Sequence, residues 1–113
     1  MHEMSIAEAM LDTISDALGG RADLVSASCT IGPLSGINAE SLKFCFTEVA
    51  GQLGFGQPEL IVTKVAAPAH CLSCGTDYTF INPYDRCPSC ESLSREVRGG
   101  DDFTLDAVDI AEA

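Results

Sequence analysis

The chain is poor in positive charge. Six lysines and arginines stand against seventeen aspartates and glutamates, for a formal net charge of −11. So acidic a chain is repelled by phosphate backbones and anionic lipid, which excludes nucleic acid and membrane surfaces as partners. No apolar run approaches the roughly twenty residues that span a bilayer. The first residues lack the charged, apolar, small-residue succession of an export signal. Together with unpaired thiols, that points to the cytoplasm. There is no phosphate loop, no paired-carboxylate site and no nucleophile–histidine constellation, so the chain does not read as an enzyme. Internal repeats and low-complexity tracts are also missing. At 46% apolar over 113 residues, the chain can build one modest core, with room for a small stapled appendage.

What the sequence does have is cysteine in a chelating pattern. Two Cys-x-x-Cys pairs, Cys71/Cys74 and Cys87/Cys90, are separated by twelve residues. Each pair can grip one metal from a tight turn, and two turns complete a tetrahedron. A four-sulfur set selects zinc, or iron in a rubredoxin-like site. Gly75 follows the first pair, where such a turn needs positive φ, and Pro88 stiffens the second. Two disulfides are the competing interpretation, and the missing export signal argues against it. Cys29 and Cys45 lie in apolar segments and read as buried thiols. A closed four-thiolate shell leaves no position for substrate, so the site is structural. Few large apolar residues fall in this region, so metal binding has to supply much of its folding free energy. Lys64, Arg86, Arg95 and Arg98 cluster beside it and offset the thiolate charge.

The remainder divides into alternating elements. Ser5–Leu18 has helical periodicity, with Ser5 and Glu8 as a capping box and Gly19 as the stop. From Asp23 to Ile31 the alternation predicts a half-buried strand with Val25, Ala27, Cys29 and Ile31 facing inward. A helix follows from Ala39 to Leu53, capped by Asn38, burying Leu42, Cys45, Phe46, Val49 and Leu53. Leu60–Val65 reads as a strand buried on both faces, and Phe103–Ile110 as a third strand that closes the sheet. The fold class is α+β: a small three-stranded sheet with two helices plus an inserted zinc-ribbon-like module. Residues 1–66 and 99–113 form one domain and residues 67–98 the module, with short linkers near Ala66–Pro68 and Gly99–Gly100.

The start of the chain is the second unusual feature. In Met1-His2-Glu3 an α-amine, an imidazole and two backbone amide nitrogens lie within three residues. Those nitrogens can wrap one ion in a near-planar array that suits Ni²⁺ or Cu²⁺. The competing interpretation is a solvated terminal histidine beside a glutamate that favours the helix N-terminus. His70, the other histidine, abuts Cys71 and is either a neighbour of the four-cysteine set or a partner to it.

Met1-His2-Glu3-Met4-Ser5, Ile31-Gly32-Pro33-Leu34-Ser35-Gly36, Leu42-Lys43-Phe44-Cys45-Phe46, Cys71-x-x-Cys74-Gly75, Cys87-Pro88-x-Cys90 and Gly99-Gly100-Asp101 occur in this order. Together they resemble the HypA/HybF family of hydrogenase maturation factors that insert nickel. The resemblance implies a nickel metallochaperone for [NiFe]-hydrogenase, with Ni²⁺ bound through His2, Met1 and Glu3 and structural Zn²⁺ on Cys71, Cys74, Cys87 and Cys90. It also implies a nickel-handling maturation GTPase and the hydrogenase large subunit as partners, with urease maturation proteins served in some relatives. A homodimer is left open. Glu91 departs from the family, which usually has glycine after the last cysteine. If that turn needs positive φ, Glu91 carries a strain of about 1–2 kcal/mol. The alternatives are a rubredoxin-like iron electron carrier and a zinc-ribbon interaction subunit that binds no nickel.

Overall fold

The computed structural model describes residues 2–19 and 23–111. Helix α1 covers Glu3–Leu18 and α2 covers Ala39–Gln52. Six strands follow in chain order: β1 Leu24–Ile31, β2 Glu59–Lys64, β3 Ala67–Cys71, β4 Asp77–Phe80, β5 Arg95–Val97 and β6 Phe103–Ile110. They form two three-stranded sheets, ordered β2-β1-β6 and β4-β3-β5. The chain makes two compact units: residues 1–29, 37–63 and 104–113 in one, and 30–36 with 64–103 in the other.

In the first unit, α1 buries Ile6, Ala7, Met10, Leu11 and Ile14, an i, i+1, i+4, i+5, i+8 stripe. Against it α2 sets Leu42, Phe46, Val49 and Ala50. Leu24, Ala27 and Cys29 from β1, with Phe55 and Leu60, complete this core. Burial pushes the Cys29 thiol pKa up, and the charge of Asp106 adds to it, so Cys29 is an inert packing group. As the sequence predicts, the last strand closes the sheet beside β1. The Asn38 side chain caps α2, accepting from the Ser41 amide at 2.9 Å. Gly19, at φ 64°, ends α1 in the left-handed conformation.

Several local expectations are corrected. Helix α1 begins at Glu3 with His2 as N-cap, and no side chain caps it, so the Ser5/Glu8 box does not form. Those residues lie inside a helix that starts two positions earlier. Leu24 is buried and Val25 is 56% exposed, so the inward alternation of β1 holds only from Ala27 onward. Leu53 is exposed because it follows the last turn of α2, and Ala50 fills the core in its place. Cys45 is half-buried. Strand β2 is not covered on both faces: Leu60 is buried, whereas Ile61, which points to the opposite face, is 46% exposed.

In the second unit, β3 is the central strand. It pairs antiparallel with β4 (Ala67↔Phe80 through His70↔Asp77) and with β5 (Ala69↔Val97 through Cys71↔Arg95). Ala67, Ala69 and Phe80 form a small buried cluster, with Tyr78 and Val97 packed on it. Ala67 and Pro68, expected in a linker, belong to β3. The Gly32–Gly36 turn docks in this unit. The Gly32 amide donates to the Asp102 carbonyl at 2.9 Å and the Leu34 amide to the Gly100 carbonyl at 2.6 Å. A Cβ on Gly32 would sit 2.4 Å from the Gly100 carbonyl oxygen, so only glycine allows this approach.

Candidate metal centre

The two cysteine turns have the same backbone plan. In the first, the Gly75 amide donates to the Cys71 carbonyl at 3.0 Å, and the Cys71 amide to the Thr76 carbonyl at 2.9 Å. In the second, the Glu91 amide donates to the Cys87 carbonyl at 2.8 Å, and the Cys87 amide to the Ser92 carbonyl at 3.1 Å. Both turns close through a left-handed residue at the fifth position, Gly75 at φ 79° and Glu91 at φ 62°. The positive φ that the family's glycine serves is therefore required at Glu91 as well. The Arg86 guanidinium donates to the Glu91 carbonyl at 3.1 Å and helps hold it there. Because a Cβ is disfavoured in this conformation, Glu91→Gly should stabilise the metal-loaded protein by about 1 kcal/mol. A denaturant midpoint that rises with unchanged slope would verify this.

These turns bring Cys71, Cys74, Cys87 and Cys90 together, with all four Sγ atoms within 4.8 Å of one another. Cys71 and Cys90 lie 3.5 Å apart, and Cys74 and Cys87 lie 3.6 Å apart. Sulfurs about 2.3 Å from a central ion would be about 3.8 Å apart in a regular tetrahedron, so the set fits a four-thiolate zinc site. Cys71 and Cys87 are buried, while Cys74 and Cys90 reach the surface.

The surroundings favour thiolate at Cys71 and Cys74. The Cys74 amide, and less strongly the Ser73 amide, lower the pKa of Cys71. The Thr76 hydroxyl and amide, aimed at Cys74, hold its thiol at about 6. The Ser92 amide pulls Cys90 the same way, but the neighbouring thiols, Cys71 foremost, and burial together push it up to about 12. Four sulfurs this close cannot all ionise unless a cation sits among them.

Arg95 braces the segment between the two turns. Its guanidinium lies 4.0 Å from the Phe80 ring centroid and donates to the carbonyls of Pro83 and Asp85. The Asp85 carboxylate accepts from the Ile81 and Asn82 amides, both at 3.0 Å, and those bonds keep its pKa below the usual range. Sequence reasoning placed Arg95 only as an offsetting charge and did not single out Asp85 or Thr76. Their roles depend on which strands pair and which amides a turn leaves free.

His70 stands apart from the thiolates. Along β3 it alternates with Ala69 and Cys71, which are buried, and it is exposed. Its Nδ1 meets the Asp77 carboxylate at 2.6 Å. At the amino end, His2 is exposed and extended (φ −82°, ψ 141°), with its imidazole unused in capping. Its carbonyl accepts the first helical bond from the Ile6 amide at 3.2 Å. The amides of His2 and Glu3 precede that bond and have no intrahelical partner. Glu3 is half-buried in the first turn, and Met1 lies outside the described residues.

Residues 1–110 match the family described as hydrogenase/urease nickel incorporation, metallochaperone, hypA. The chain belongs to this family. Similar relatives include the hydrogenase maturation factor HypA of Chlorobium limicola, 37% identical over 99% of this chain and 98% of the relative. HypA of Azotobacter chroococcum is 35% identical over 97% and 99%. Among solved structures, the solution structure of the Ni metallochaperone HypA from Helicobacter pylori aligns with 97% of each chain at a TM-score of 0.59 and 18% identity, a likeness of fold. The HypA assignment matches the sequence resemblance along nearly the whole chain, and it accounts for two helices, two small sheets and a cysteine cluster in one short polypeptide.

Proposed function

We propose that this chain is a nickel metallochaperone for the maturation of [NiFe]-hydrogenase, with Ni²⁺ as cargo at the amino end and Zn²⁺ held on Cys71, Cys74, Cys87 and Cys90. The observation that carries this reading is the family match over residues 1–110. On this reading residues 1–66 and 99–113 form the nickel-binding part and residues 67–98 the zinc part. The zinc supplies a structural crosslink.

Nickel binds through the Met1 amine, the His2 imidazole and the amides of His2 and Glu3, with the Glu3 carboxylate at hand. The exposed, uncapped His2 and the orphan amides of the first turn support this, because the helix need not unwind to offer them. Two deprotonated amides neutralise Ni²⁺, so the positive end of the helix dipole does little to oppose it. Such a site exchanges, as a carrier requires, and protons compete for its nitrogens, so acid releases nickel. The chain acts in the cytoplasm by transfer, not catalysis. It hands nickel to a maturation GTPase and to the hydrogenase large subunit, and where the cell makes urease, to that pathway too. An iron–thiolate electron carrier would have no use for two helices and a second sheet, and a nickel-free zinc ribbon would have no use for the amino-terminal nitrogens.

The reading is tested in cells that depend on this chain for active hydrogenase. His2→Ala should accumulate as folded, zinc-loaded protein yet fail to restore hydrogenase activity. Full activity in that variant would contradict the proposal.

A further inference from the structure

The exposed face of the β4-β3-β5 sheet carries an arrangement that the thiolate centre does not use. His70 is directly paired across β3 with Asp77 on β4 and with Glu96 on β5. Directly paired residues have Cβ atoms about 4.5–5.5 Å apart, so an imidazole stands between two carboxylates. The 2.6 Å contact from His70 Nδ1 to Asp77 requires a proton on Nδ1, because a carboxylate only accepts. In the neutral ring, Nε2 then carries a free lone pair, and no bond to it forms among the described residues. A carboxylate fixing one ring nitrogen while the other is presented to a metal is the support that metal-bound histidines use. The His70 side chain is 51% exposed. It opens on a groove of about 600 Å³ bordered by Pro68, Thr79, Glu96 and Arg98.

We infer that His70 Nε2 and the Glu96 carboxylate form a second, exchangeable site for a first-row divalent ion such as Ni²⁺, with Asp77 as the positioning residue and water filling the remaining positions. Imidazole and carboxylate suit this class of ion, whereas the sulfur set selects softer chemistry. Arg98 borders the same groove and opposes a cation, so binding there is weak and reversible. By strand alternation the site faces away from Cys71, and it does not depend on the amino-terminal nitrogens.

The chain has two histidines, so zinc-loaded His2→Ala protein reports on His70 alone. We expect NiCl₂ to broaden the His70 ring resonances in nitrogen-15 spectra at low equivalents, before the amides of the cysteine turns, and without nickel–thiolate absorption in the near ultraviolet. Asp77→Asn should shift the midpoint ten- to a hundredfold, and Glu96→Gln should shift it in the same direction. His70 signals indifferent to NiCl₂, or midpoints identical in all three proteins, would overturn the inference and leave an ion pair that only joins two strands. Because His2 is absent throughout, either result is independent of whether the amino end binds nickel.

Discussion

Cys74→Ala, or removal of metal from the intact chain by a strong chelator, should unfold the region of residues 67–98 while α1 and α2 stay packed. The apolar content of that region decides this. Ala67, Ala69 and Phe80 are its buried cluster, with Tyr78 and Val97 partly buried, whereas Leu72, Ile81, Tyr84 and Leu93 are exposed. Ordering about thirty residues costs on the order of 1–2 kcal/mol each, more than so small a cluster returns. Structural zinc contributes about 10–16 kcal/mol in comparable small folds. Protons compete with metal for the four sulfurs, so acidification should act in the same direction as the chelator. Amide exchange measured residue by residue should show protection lost in β3, β4 and β5 and retained in both helices. Unchanged protection in metal-free β3 would show that the sheet stands without its ion.

The second large effect is at the amino end. His2→Ala should lower the affinity for Ni²⁺ by at least about a hundredfold, because a nitrogen array that loses its imidazole loses a ligand and a chelate ring at once. Stability should barely move. His2 is exposed and makes no side-chain capping bond, and exposed substitutions of this kind fall within about 0.5 kcal/mol. Calorimetry against zinc-loaded protein reads the first quantity and thermal unfolding the second. Loss of nickel binding together with a collapse in stability would instead mark His2 as a folding residue.

The cysteine centre was legible because ligand spacing is a local property: the turns at Cys71–Gly75 and Cys87–Glu91 are written in consecutive residues. The strain at Glu91 was legible only through the resemblance, whose members usually carry glycine at that position. Periodicity found both helices and three of the strands, β1, β2 and β6, and it failed where packing overrides pattern. Val25 lies at a strand end where Leu24 takes the core position, and Ile61 lies on the exposed face of β2. Strand pairing was not legible. No spacing in the sequence says that His70 faces Asp77 and Glu96, that Arg95 reaches the Pro83 and Asp85 carbonyls, or that Gly32 meets Gly100. These contacts join segments whose register is set by the finished sheet.

The central claim is that nickel is held by nitrogens counted from the first residue. Acetylating the α-amine of Met1 tests it most directly, since every side chain stays in place and only that nitrogen is lost as a ligand. Titrated with Ni²⁺ in the zinc-loaded state, the native chain should bind tightly at its amino end, and the acetylated chain should lose that binding while keeping its zinc and its fold. Equal nickel affinity in the two proteins would contradict the account.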